Sequence, residues 1–217
     1  MELKCKTNQA HSPNSRILKE VMHPPVEIAE PKPSVSLGMF GMILVLAAIG
    51  AFFIALAVAY AFAIQDRPAQ PNVHLSNWFW VSTVFMVLSS GALQWARRDL
   101  RMARLAPYRM CLWLTFGLGV LFLITQLLGC QDLATQGVYV VGNPRGSMYY
   151  VFSGIHAFHL LGGLGGMYWL IRRAGDLTDG EEQPLRKHRA AAKNTAAYWH
   201  FMGVLWVGLL ILLFAWQ

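Results

Sequence analysis

Charge is what this sequence has least of. Asp, Glu, Lys and Arg make up 13% of its residues while hydrophobic types make up 55%, whereas soluble domains carry about a quarter charged. Acidic residues are scarcer than basic ones, and all eleven lie outside the long apolar runs. No carboxylate is therefore placed at membrane depth to carry protons or bind sodium, which argues against ion-coupled transporters and pumps. Cysteine is limited to Cys5, Cys111 and Cys130 with no CxxC or CxxCH spacing, so a disulfide framework, a zinc site and a covalent c-type haem are not expected. Residues 1–33 hold no apolar h-region, so no cleaved signal peptide is expected. Nor does any stretch join a nucleophile to a base, form a phosphate-cradling loop or assemble a metal cage.

Apolar sequence is what the chain has in abundance. Five segments, about 35–64, 75–96, 108–129, 148–171 and 196–217, are free of charge or nearly so. Each supplies the roughly 20 residues that a spanning helix needs. Five such runs in 217 residues leave too little polar chain to cover them in water. The fold class expected is an all-α integral membrane protein, a five-transmembrane-helix bundle. Residues 1–34 read as a cytoplasmic tail and 35–217 as a single membrane domain, without internal repeats.

The basic residues set the expected orientation. If the tail is cytoplasmic, sixteen of the eighteen Lys and Arg fall inside, and only Arg67 and Arg145 outside. The positive-inside rule then predicts the N-terminus in the cytoplasm and the C-terminus outside. This asymmetry accounts for the net charge of +7 without nucleic acid. Between the last two spans, Ala174 to Asn194 carries both signs of charge and Pro184, and reads as a solvated hairpin, with a partner-docking loop as the sharper alternative. Gly137, Gly142, Asn143, Pro144 and Gly146 are expected to break the chain before a helix restarts at Met148.

Three histidines fall inside spans, where ionisable groups are rare and usually functional. In the fourth, Phe152, His156, His159, Gly163 and Gly166 follow helical spacing and share a face. Gly162 and Gly166 stand four apart, as in closely approaching helices. This is either a polar seam at an interface or cavity, or a set of histidines each bonded to a nearby carbonyl or hydroxyl. In the fifth, Trp199, Gly203, Trp206 and Leu210 form another face with His200 beside it. Tyr198 and Trp199 suit an interfacial aromatic belt, and a groove for a lipid chain is the alternative. A bis-histidine haem between His200 and His156 or His159 is a further reading. Ser82, Ser89, Ser90, Gln94, Thr115 and Gln126 are candidates for hydrogen bonds between helices.

Several of these residues carry a resemblance to a known family. Leu37-Gly38-Met39, Ser89-Ser90 with Gln94-Trp95-Ala96, then Thr115, Leu118-Gly119, Phe122-Leu123 and Gln126, follow in order along the chain. Gly146-Ser147 through His159, with its GxHxxH element, and Ala197-Tyr198-Trp199-His200-Phe201 with Trp206 complete the set. From Leu37 to Phe214 the chain resembles subunit III of haem-copper respiratory oxidases, most closely the five-helix bacterial cytochrome c oxidase form.

The resemblance implies a non-catalytic subunit of the bacterial inner membrane. It would pack against subunit I, with subunit II in the same complex, hold phospholipid and support turnover. Haem and copper are implied in the partner subunits and no cofactor in this chain. His156, His159, Tyr198, Trp199, His200, Trp206 and Gln126 are the implied structural or lipid-contact residues. The chain departs from the family's pattern in three places: an acidic residue usual in the first helix is missing around Leu46 to Ile49, the acid usual after the YWHF element is replaced by Gly203, and a glutamate usual after Gln126 is missing near Gly129 and Cys130. Competing expectations are an accessory subunit of nitric oxide reductase, a quinol oxidase subunit III and, from a different class, an independent b-type membrane cytochrome.

Overall fold

The computed structural model describes residues 37–65, 76–137, 144–177 and 182–215. The expected N-terminal tail, Cys5 and Arg67 lie outside the described residues. Five helices make up the described chain: α1 (Leu37–Gln65), α2 (Asn77–Arg101), α3 (Leu105–Thr135), α4 (Pro144–Gly175) and α5 (Glu182–Ala215). Consecutive members of α2 to α5 are neighbours and α5 closes back on α2, so these four form a ring, while α1 lies against α4 and α5.

Helices α1, α2, α3 and α5 are long and apolar enough to cross a membrane. Helix α4 is long enough at 32 residues, but its tyrosines, glycines, His156 and His159 lower its hydropathy. Large apolar side chains face outward all along α1, including Phe40, Leu44, Ile54 and Phe62. This inverts the pattern of a water-soluble bundle and matches a lipid solvent.

The helices outrun the apolar segments that announce them. Expected to end near residue 96, α2 continues to Arg101, and α3 runs six residues past its expected end at 129 to Thr135. Asp99 and Asp132 therefore lie within helices, near their ends. The expected hairpin from Ala174 to Asn194 is largely helix, because α5 begins at Glu182. Its 34 residues span about 51 Å against a hydrocarbon thickness of about 30 Å. Pro144 does not delay α4 until Met148 but opens it. Proline is well placed at a first helical position, where its missing N–H would lack a partner anyway and its φ is already helical.

Short caps fix the ends. The Ser76 hydroxyl accepts from the Trp78 amide at 3.4 Å and starts α2. At the other end the Arg104 amide donates to Asp99 O and the Ala103 amide to Leu100 O. This is a Schellman arrangement with Ala103 at φ 56°, where glycine is usual. Arg189 of α5 donates to the α2 carbonyls of Leu100 and Arg101, so the tight turn is clamped from a third helix.

Candidate functional site

Of the expected site residues, Gln126, His156, Trp199 and Trp206 converge inside the ring, His159 and Tyr198 lie half-buried where α4 meets α5, with Phe53 of α1 5.7 Å from the His159 ring, and His200 stands apart. Trp199 and Trp206 stand seven residues, about two turns, apart on α5 and are almost wholly buried. The Trp199 indole donates to Ser89 Oγ at 3.0 Å and the Trp206 indole to Thr83 Oγ1 at 3.1 Å. Each hydroxyl in turn donates to a carbonyl of its own helix, Ser89 to Met86 and Thr83 to Phe79, both at 2.8 Å. Two rungs thus tie α5 to α2. A buried indole N–H needs such a partner, because lipid offers none.

Glycines make room for these rings, though not the expected pair. A Cβ on Gly119 would sit 2.7 Å from the Trp199 ring, and one on Gly163 would sit 2.9 Å from the Tyr198 ring. Gly162 has only the Tyr198 hydroxyl near, at 3.9 Å, and Gly166 has nothing within 4 Å. The close approach is therefore a ring lying in a glycine notch on each of two helices, rather than backbone against backbone. Gly166 is exposed and lies off the buried face that Phe152, His156 and Gly163 share. Trp199 does not belong to an interfacial belt, because its ring fills the Gly119 notch.

The three histidines have three different surroundings. The His159 Nδ1–H donates to the carbonyl of Ile155 at 2.8 Å, and the His159 carbonyl accepts from the Tyr198 hydroxyl at 2.8 Å. His156 is fully buried between Phe122 and Trp206, with ring centroids 5.8 and 5.2 Å away, and Phe53 of α1 at its edge. Neither of its ring nitrogens has a partner among the described residues. One turn along, Gln126 donates to the Ser153 carbonyl at 3.3 Å. His200 faces away from this cluster, into a groove with Thr83, Met86 and Ser90 of α2. An iron held between His200 and His156 or His159 is not supported by that placement, because the rings serve different faces of α4 and α5. Among the described residues, the bonding of each histidine to a carbonyl or hydroxyl holds for His159 alone.

Other expected polar links remain within their own helices. Thr115 donates to Cys111 O and Ser82 to Phe79 O, both at 2.8 Å, so neither bridges helices by its donated bond. Gln94 accepts from exposed Arg97. Sequence reasoning missed the fastening at the opposite end of α3. There Tyr108 and His188 share a buried 2.7 Å hydrogen bond, and Arg109 donates to the carbonyls of Ala174, Gly175 and Leu177. A signal existed in the position of Arg109, a cation one turn inside an apolar helix, where it needs partners.

His156 gives a direct test of the seam. Replacing a buried polar group that lacks a partner with an apolar one of similar size costs little or stabilises. His156→Leu is expected to shift unfolding in mild detergent by less than about 1 kcal/mol, or to raise it. A drop beyond about 2 kcal/mol, measured by thermal denaturation, shows that its ring nitrogens are hydrogen-bonded after all.

Fold and site together define a helical membrane bundle fixed by indole, hydroxyl and glycine contacts between its helices. The family model described as "Cytochrome c oxidase subunit III" matches residues 28–217. This chain belongs to the cytochrome c oxidase subunit III family. Among curated proteins it is similar to "Probable cytochrome c oxidase subunit 3" of Mycobacterium tuberculosis, 27% identical over 101 residues, 46% of this chain and 47% of the relative. It is 28% identical over 134 residues to "Cytochrome c oxidase subunit 3" of Corynebacterium diphtheriae, covering 62% of this chain and 63% of the relative. To the protein of that name from Synechocystis it is 26% identical over 188 residues, 82% of this chain and 75% of the relative. The chain spans about half the length of the mycobacterial relatives it matches.

Proposed function

We propose that this chain is the non-catalytic subunit III of a bacterial cytochrome c oxidase, a respiratory haem-copper enzyme of the cytoplasmic (inner) membrane. The observation that carries the reading is the family match across residues 28–217. The polar side chains of the bundle suit a supporting role. The indoles of Trp199 and Trp206 and the hydroxyl of Tyr198 hold neighbouring helices. A rigid ring of this kind offers subunit I a fixed surface to pack on. Subunits I and II would supply the haem and copper, and this chain would hold phospholipid.

The distribution of charge over the fold supports one orientation in the membrane. Arg101 and Arg104 at the α2–α3 turn, Arg109 at the start of α3, Arg172 and Arg173 near the end of α4, and Arg189 and Lys193 in the first half of α5 all gather at one end of the bundle. We assign that end to the cytoplasm, which places the end of α5 outside.

Affinity purification of the full-length chain from native membrane tests the assignment. Haem-copper subunit I is expected in the purified complex at one copy per chain, with haem absorbance that stays with that subunit when the complex is dissociated. Recovery of the chain without any haem-copper subunit overturns the reading. Recovery with nitric oxide reductase subunits, or with a complex oxidising quinol alone, replaces it by one of those alternatives.

A further inference from the structure

The seam between α2 and α5 carries two grooves in line, one basic and one apolar. Arg97 and Arg101 of α2 and Arg189 and Lys193 of α5 line the first, about 170 Å³ in volume. Met86 and Val87 of α2 with Val204 and Val207 of α5 line the second, about 330 Å³. The two helices run antiparallel, since Thr83 meets Trp206 and Leu100 meets Arg189. From Ser90 to Arg97 and from His200 back to Lys193 is seven residues on each helix. The residues lining both grooves therefore fall on one face of each helix, about two turns apart.

The charge arrangement calls for an anion. Arg97 with Arg101, and Arg189 with Lys193, are like-charge pairs at i,i+4, each unfavourable on its own helix. The structure sets the two pairs against each other, and no carboxylate lines the groove among the described residues. Asp99 lines a separate groove with Arg98 and Arg104. Arg189 is held by its bonds to Leu100 O and Arg101 O, so one guanidinium is fixed in place before any ligand arrives. The basic groove lies about 20 residues into α2, roughly 30 Å from its start, near where hydrocarbon gives way to headgroups.

We propose that the α2–α5 seam binds one anionic phospholipid, its phosphate among Arg97, Arg101, Arg189 and Lys193 and an acyl chain along Met86, Val87, Val204 and Val207. The basic groove explains the preference for negative charge, and the apolar groove two turns deeper separates a lipid from free phosphate. Gly203 lines the apolar groove, where a Cβ would make only ordinary contact, 3.6 Å from Met86. The proposal rests on the lipid-holding part of the proposed function and names its site.

The full-length chain, with whatever subunits accompany it, is placed in nanodiscs of phosphatidylcholine with or without phosphatidylglycerol, and retained lipid is read by native mass spectrometry. One phosphatidylglycerol per chain is expected to survive. The double variant Arg97→Gln with Lys193→Gln is expected to weaken its retention about thirtyfold, from about tenfold or less for each cation removed near the surface. Val204→Trp, at a position 72% exposed, is expected to expel the lipid while leaving the melting temperature near wild type. A photo-crosslinking residue at 204 is expected to capture lipid. Equal retention of the two lipids, retention unchanged in both variants, or tight binding of inorganic phosphate alone overturns the proposal. Crosslinking to a partner helix or to the chain's own residues 1–36 also overturns it. Failure here with subunit I still present in the complex leaves the oxidase assignment standing, whereas loss of subunit I tests that assignment instead.

Discussion

Gly119→Ala is expected to destabilise the bundle by about 1–3 kcal/mol although it adds one methyl group. Its Cβ would lie 2.7 and 2.9 Å from two atoms of the Trp199 ring and 3.0 Å from a methyl of Leu164. The indole cannot swing away, because its N–H is bonded to Ser89 and its face is enclosed. In a bilayer the hydrophobic effect does not drive helices together, so the lost fit appears directly as lost contact between them. Trp199→Ala is the complementary loss, and emptying the notch is expected to cost about 3–5 kcal/mol. The informative variant combines Gly119→Ala with Trp199→Phe, whose smaller ring leaves space for the methyl group. Its destabilisation should fall short of the sum of the two single changes by about 1–2 kcal/mol. Simple additivity in thermal denaturation of the four proteins would show that the ring and the notch do not act as one unit.

Arg109→Met is expected to cost about 2–3 kcal/mol and to loosen the connection between α4 and α5. The guanidinium donates at 2.8, 3.3 and 2.9 Å to the carbonyls of Ala174, Gly175 and Leu177. Carbonyls at a helix end have no partner within the helix, and a cation there also meets the negative end of the helix dipole. Methionine keeps the apolar stem and strands all three acceptors. Lysine restores charge at one point but not the fork, so Arg109→Lys should recover less than half of the loss. A lowered melting temperature and faster protease cleavage between α4 and α5 are the measurements. Cleavage at the wild-type rate in Arg109→Met would remove this anchor from the account.

The spans were legible in the sequence because long charge-free runs have few other uses. Their ends were not, since a helix need not stop where its apolar stretch stops. Arg97 to Arg101 continue α2 past its apolar stretch with a capping turn behind them. The early start of α5 had a readable sign: residues 185–202 contain neither glycine nor proline, and Ala190 to Ala192 favour helix. Mixed charge there suggested a solvated loop, while on the helix Arg186, Lys187, Arg189 and Lys193 occupy exposed positions. Within the site, spacing gave Phe152, His156 and Gly163 on one buried face. Gly119 stayed hidden because the need for a notch is created by a ring from a helix eighty residues later. For the same reason Trp199 looked interfacial near the start of an apolar run, and only its long-range partner Ser89 reveals it as core.

The bond between Trp199 and Ser89 joins residues 110 apart, and this spacing orders events during synthesis. At about 5–20 residues per second, α2 enters the membrane roughly 5–20 s before the indole that will fasten it exists. From the synthesis of Gly119 until then its notch is empty, and the ring of α2 to α5 stays open on one side. Closure falls to the final helix, so a transcript or ribosome that stops short of α5 yields an unsealed bundle rather than a smaller stable one. Such a fragment would leave the notch and the α2 hydroxyls at Ser89 and Thr83 without the indoles that fill and bond them.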